Sequence, residues 1–84
     1  MNNPPLKRKD TMRSLRVKFG YTQKDLSSYL GVSRERYLKL ERDSSDITLN
    51  LIKGLEELYG VEMNYIFFGP ESTFREQIKK ENVI

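Results

Sequence analysis

Apolar residues recur at helical spacing in four stretches of this chain, each closed by a glycine or a polar turn. In the first, Met12, Leu15 and Phe19 share a face, Asp10 or Thr11 can cap the start, and Gly20 ends it. In the second, Gln23–Leu30, Leu26 and Leu30 share a face. Thr22 caps it through its hydroxyl, and Asp25, three residues on, completes a capping box at the positive end of the helix dipole. Ser33 caps the third, which runs to Arg42, with Tyr37 and Leu40 on one side and Arg34, Glu35, Leu38 and Lys39 on others. Thr48 caps the fourth, Leu49–Tyr59, where Leu49, Ile52, Leu55 and Leu58 or Tyr59 mark a core face. Gly54 in its middle costs about 1 kcal/mol relative to alanine, which points to a close helix contact there. A short fifth helix is expected over Met63–Phe68, apolar almost all round, with Gly69-Pro70 as its stop.

Between the second and third stretches stands Gly31, the residue that adopts a positive φ at no steric cost. Helix, glycine turn and helix within about 20 residues form the helix-turn-helix pattern, whose second helix presents its polar face to a DNA groove. The ends of the chain differ in kind. Residues 1–10 hold Pro4-Pro5 and the basic run Lys7, Arg8 and Lys9, and read as an extended, flexible arm. That arm either touches phosphates or is simply a solvated tail. Residues 70–84 form a tail in which Thr73 and Glu76 suit a capping box and Phe74 and Ile78 stand four apart, enough for a turn or two of helix. The fold class is therefore all-α: a compact five-helix domain over 11–69, between an arm at 1–10 and a short tail.

Charge sharpens this picture. The net charge is +3, but residues 1–42 hold 11 Lys/Arg against 4 Asp/Glu, a balance of +7. Residues 43–84 hold 4 against 8, a balance of −4, so the glycine-turn segment lies in the basic half. A polyanion-facing front and an acidic back suit a DNA-binding domain. The chain has no Cys and no His, which removes disulfides, thiolate metal sites, the commonest general base and the commonest metal ligand. With no glycine-rich phosphate loop either, an enzyme is not expected, nor is a cofactor or metal. No apolar run reaches the roughly 18–20 residues of a membrane span, so a cytoplasmic protein without membrane association is expected.

The order L-R-x-x-x-G-x-T-Q-x-D-L-x-x-x-L-G-V-S from Leu15 to Ser33, followed by Tyr37, Leu38, Leu40 and Glu41, resembles the Cro/C1-type helix-turn-helix family. This is the xenobiotic-response-element type that includes the lambdoid phage repressors. L-x-x-I-x-x-L-x-x-L-Y-G-V from Leu49 is similar to that family's fourth helix. The resemblance covers about Met12–Gly69 and implies a lambda-repressor-like domain binding a palindromic double-stranded DNA operator as a homodimer, in a bacterium or a phage-infected host. It implies base contacts from Ser33, Arg34, Glu35 and Lys39, and phosphate contacts from Gln23 and Arg42; Thr22, Arg36 and, outside the resemblance, Lys7, Arg8 and Lys9 of the arm are further candidate phosphate contacts. It also implies a structural Arg16–Glu41 pair between the first and third helices.

Chemistry supports these roles unequally. Arg34 can fork to guanine O6 and N7. Glu35 can accept from cytosine N4, or pair with Arg34 or Lys39, and the sequence favours neither. Lys39 reaches a base or only a phosphate, and Tyr37 sits at a core position. The apolar excess of Ile66, Phe67 and Phe68, with Phe74 and Ile78, marks a candidate dimer interface. A transcriptional regulator, in the sense of a repressor, is the leading function. An antitoxin or anti-repressor that mainly holds a protein partner, with the helix-turn-helix used for autoregulation, is the alternative. In that case the tail would order on binding. Asp43 stands where a glycine often ends the third helix, so the 43–47 loop takes its own path and phosphate contacts from Ser44 and Ser45 are not expected. Glu56 should reach to solvent.

Overall fold

The computed structural model describes residues 4–81. Residues 1–3 of the expected arm and 82–84 of the expected tail lie outside the described residues. Five α-helices form the domain: α1 (Met12–Phe19), α2 (Gln23–Leu30), α3 (Arg34–Arg42), α4 (Leu49–Tyr59) and α5 (Glu71–Glu81). Single 3₁₀ turns occupy Leu6–Arg8 and Met63–Tyr65. The all-α class and the first four helices agree with the sequence pattern.

Local chemistry sets the helix starts. Thr11, not Asp10, caps α1: its Oγ1 accepts from Ser14 N at 3.0 Å and its own N–H donates to Ser14 Oγ at 2.8 Å. The same reciprocal box opens α2, with Asp25 N donating to Thr22 Oγ1 at 3.0 Å and Thr22 N to Asp25 Oδ2 at 2.9 Å. Thr48 caps α4 more loosely, through Leu51 N at 3.4 Å. Met12, Leu15, Leu26, Tyr37, Leu40, Leu55, Tyr59 and Ile66 then close into one core. Gly54 has the close contact its place suggests: a Cβ there would meet Leu30 Cδ2 at 3.0 Å, so α2 and α4 approach at a distance that glycine allows.

The expected fifth helix over Met63–Phe68 does not form. Its run is only six residues, rich in aromatic and β-branched side chains that stabilise a helix poorly. Its backbone has another partner: Asp10 N donates to Tyr65 O at 2.9 Å and Phe67 N to Asp10 O at 2.8 Å, pairing Asp10 with Ile66. After one 3₁₀ turn the chain is therefore extended, and Ile66 turns inward to 2% exposure. The fifth helix is instead the tail. It begins at Glu71, directly after Pro70, so Thr73 lies inside the first turn and is not its cap. Phe74 N donates to Pro70 O at 3.2 Å, and Glu71 in the first turn with Lys79 and Lys80 in the last complement the helix dipole.

Two apolar positions are also less buried than their spacing implies. Leu49 is 58% exposed, because the first turn of α4 runs past the core. Phe19 is 46% exposed and gains its cover from the Tyr59 ring, 4.8 Å away between centroids. The 43–47 loop does take its own path. Ser44 is buried, donates its N–H to Gly69 O at 3.1 Å and accepts from Gly69 N at 3.0 Å, which ties the end of α3 to the start of α5. Asp43 accepts from Ser45 N at 3.0 Å and so turns the loop locally. Glu56 is half-buried, and its Oε2 accepts from Met63 N at 2.8 Å, anchoring the 3₁₀ turn instead of standing free in solvent.

Candidate nucleic-acid interface

The stretch Thr22–Arg42 is fixed at each of its joints. Gly31 takes φ 70°, and its N–H and that of Val32 donate back to Ser28 O at 3.2 Å and Ser27 O at 3.0 Å, which closes α2. Ser27 is buried where the helices meet and its hydroxyl donates to Lys24 O at 3.0 Å, so the small side chain fits without an orphaned polar group. Ser33 Oγ then accepts from Arg36 N at 3.1 Å and starts α3. From there the helix divides by face. Tyr37, Leu40 and Glu41 are buried and Leu38 is half-buried, whereas Arg34, Glu35, Arg36, Lys39 and Arg42 are exposed.

That exposed face carries four cations against one carboxylate, a balance of +3. Among the described residues the ion pairs are Arg16–Glu41, Lys18–Asp10 and Arg75–Glu71. The α3 cations thus stand without a carboxylate partner within 4.0 Å, and Glu35 pairs with neither Arg34 nor Lys39. Ser33 lies at the head of the same face, but its hydroxyl oxygen is engaged as the cap.

Behind this face, Arg16 and Glu41 join α1 to α3. Arg16 Nε donates to Glu41 Oε2 at 2.5 Å and Nη2 to Oε1 at 3.3 Å, while Nη1 reaches Tyr21 O at 3.1 Å. Their side chains are 14% and 5% exposed. The hydrogen bond from Arg16 to Glu41 raises the guanidinium pKa against the opposing effect of burial. Burial alone would push the Glu41 carboxyl up. The hydrogen bonds it receives and the Arg16 charge outweigh that, and hold it below its ordinary value. Tyr37 faces the same carboxylate. Its hydroxyl adds electrostatic support without meeting hydrogen-bond geometry, and burial foremost raises its pKa.

A partner that the sequence did not reveal extends this pair outward. Gln23 Nε2 donates to Glu41 Oε1 at 3.3 Å, so the side chain at the first turn of α2 is positioned by the same carboxylate that holds Arg16. Gln23 lines two clefts. One, of about 590 Å³, is lined by Arg16, Tyr21, Thr22, Lys24 and Arg34 as well. The other, of about 640 Å³, includes Arg13, Leu38, Arg42 and Arg75. Thr22 itself is exposed, with its hydroxyl occupied in the capping box.

The arm and the apolar segment sit elsewhere. Lys7 and Arg8 belong to the 3₁₀ turn that packs on α5, and Arg8 lines a cleft with Gly60, Val61, Glu62 and Tyr65, away from α3. Lys9 follows that turn in extended conformation, half-buried. Ile66 is in the core, so it cannot contribute to an outward dimer surface. Phe67 packs against Phe74 with the rings tilted by 50° and centroids 5.1 Å apart, and Phe67, Phe68, Phe74 and Ile78 are all half-buried within the one chain. No group of acidic side chains among the described residues is arranged to hold a metal ion, and no described helix is long and apolar enough to cross a membrane.

Comparison with known proteins agrees with the geometry. The sequence profile of the helix-turn-helix family matches residues 12–66. Two relatives, each described as an HTH-type transcriptional regulatory protein, come from Thermococcus gammatolerans and Thermococcus kodakarensis. Both are 38% identical over 50 residues, which is 60% of this chain and 16% of each relative. The chain thus spans about a sixth of the length of the curated relatives it matches. Neither relative is described as a phage or bacterial repressor.

Proposed function

The chain belongs to the helix-turn-helix family, and from that premise we propose that it is a sequence-specific DNA-binding transcriptional regulator of the Cro/C1 type. The observation that carries this reading is the exposed face of α3: four cations without carboxylate partners among the described residues, on a helix fixed by the Ser33 cap and a buried opposite face. Such a helix is built to enter a major groove while α2 lies across the backbone. Arg34, at its first turn, reads guanine, and Ser33, Glu35 and Lys39 complete the base-facing set. Gln23, Thr22, Arg36 and Arg42 contact phosphates. Glu41 orients Gln23 for this: one amide hydrogen goes to the carboxylate, and the other is free for a phosphate oxygen.

Two copies on a palindromic operator would place their α3 helices about 34 Å apart. The outer edges of Phe68, Phe74 and Ile78 are the surface available for that pairing. Repression follows if such a dimer overlaps a promoter.

Selection of bound fragments from a random duplex pool tests the reading. A symmetric consensus with two half-sites is the expected result, and Arg34→Ala should relax preference at one position per half-site. Gln23→Ala should weaken all sequences alike. Equal loss on selected and random duplexes for Arg34→Ala would remove it as a base reader. A sedimentation profile that stays monomeric with and without the selected duplex would remove the dimer.

A further inference from the structure

The larger cleft beside Gln23 contains residues that a helix-turn-helix alone does not account for. Arg13 comes from α1 and Arg75 from α5, the latter beyond the segment that matches the family. With Arg42 at the end of α3, three arginines from three helices line one solvent-open cleft together with Gln23. All three arginines are exposed. We propose that this cleft takes a backbone phosphate of duplex DNA, which makes α5 part of the DNA interface and adds Arg13 and Arg75 to the residues that hold the backbone. The proposal rests on the DNA-binding reading above.

Charge and orientation both support it. The Glu41 carboxylate at the back of the cleft is neutralised by Arg16, leaving three cations against Glu71, a balance of +2. Glu71 Oε2 accepts from Arg75 Nε at 3.2 Å one helical turn away, which holds that guanidinium at the mouth with its terminal nitrogens free to donate. Leu38 adds an apolar side chain to the lining, against which a deoxyribose can rest. The cleft shares the Gln23 side chain with the neighbouring one that Lys24 and Arg34 line. Basic side chains thus line both clefts that Gln23 borders, Lys24 and Arg34 in one and Arg13, Arg42 and Arg75 in the other. The docking of α5 by Ser44 and Gly69 keeps Arg75 in place without any partner.

Fluorescence anisotropy of the full chain on a labelled random-sequence duplex, across a salt series, tests this. Arg13→Ala and Arg75→Ala should each weaken binding and reduce the slope of log affinity against log salt by about 0.9, the contribution of one phosphate. The decline in affinity between 50 and 200 mM salt then becomes about 3.5-fold smaller than for the unmodified chain. Glu71→Gln removes the carboxylate's charge while its side-chain oxygen can still accept from Arg75 Nε, and should strengthen binding at low salt. Circular dichroism confirms that each variant is folded, as expected for exposed side chains. If the unmodified chain binds and Arg34→Ala changes its base preference, but Arg13→Ala and Arg75→Ala keep both affinity and slope, the cleft proposal is overturned and the α3 reading stands. Absence of any duplex binding by the unmodified chain would overturn both.

Discussion

Arg16 and Glu41 make the sharpest stability prediction, because two nearly buried charges depend on one another. Replacing Glu41 by Leu leaves a guanidinium only 14% exposed with a single bond, to Tyr21 O. Replacing Arg16 by Met leaves a carboxylate 5% exposed with only the 3.3 Å bond from Gln23. Breaking a buried pair from one side costs about 3–5 kcal/mol, and the residual bonds here place each single variant near about 3 kcal/mol. Stability of an 84-residue domain is about 4–13 kcal/mol, so either change removes a large share of it. The double variant, Arg16→Met with Glu41→Leu, exchanges the pair for apolar contact and should lie within about 1–2 kcal/mol of the original. The coupling is then at least about 4 kcal/mol. Urea unfolding of all four proteins, in equal trimethylamine N-oxide to keep the singles folded, measures it. A double variant that loses the sum of the two singles would refute the reasoning. The pH dependence has a definite sign as well. Glu41 has a folded pKa below its ordinary 4.5, so the unfolded chain binds more protons in that range. Its contribution is full above about pH 4.5 and is lost as pH falls through the folded value, and that acid loss should disappear in the double variant.

Gly54→Ala sets a gain of about 1 kcal/mol in helix propensity against a Cβ placed 3.0 Å from Leu30 Cδ2, where overpacking costs about 1–3 kcal/mol. A net loss near 1 kcal/mol is expected in the original chain and a gain in a Leu30→Ala background, read from urea midpoints; a loss in both would place the crowding elsewhere. Thr22→Ala removes the cap of α2 and should cost about 1 kcal/mol. The Asp25 carboxyl lies below its ordinary value, chiefly through the Thr22 backbone N–H and then its hydroxyl. Its NMR titration midpoint should therefore rise only partly in this variant, since the backbone donor remains, and an unchanged midpoint would dismiss the hydroxyl's share.

The first four helices were legible because their signals are local. Thr22 with Asp25, Ser33, Thr48 and the glycine stops act within one turn of the backbone they satisfy, and the apolar spacing between them fixes the buried face. The segment from Met63 onward was not, because what decides it is distant. Asp10 pairs with Ile66 across more than 50 residues and competes for the N–H and C=O groups that a helix would need. Composition marks such a run as buried and apolar, but carries no sign of which backbone it will meet. Leu49 and Phe19 fail for a related reason: periodicity assigns a face, whereas the extent of cover at a helix end depends on neighbours from elsewhere in the chain.

The same distinction separates the parts of the candidate interface. Arg34, Glu35 and Lys39 could be singled out from sequence, because a cap and a buried face three and four residues away define where they point. Gln23 needed more, since its aim depends on Glu41, eighteen residues on and one helix away. Arg13 and Arg75 needed the whole fold: each is an ordinary exposed arginine until Ser44 pins Gly69 and sets α5 against α3, which brings both to one cleft. A substitution at Ser44, remote from any proposed DNA contact, should therefore act on Arg75 alone among the phosphate-facing residues. Ser44→Ala removes the bond to Gly69 N while leaving α2 and α3 untouched. Because the bond from Ser44 N–H to Gly69 O survives, α5 is loosened and not released, so if α5 is part of the interface the salt slope should move part of the way toward that of Arg75→Ala without altering base preference; a slope equal to that of the original chain would separate this bond from DNA binding.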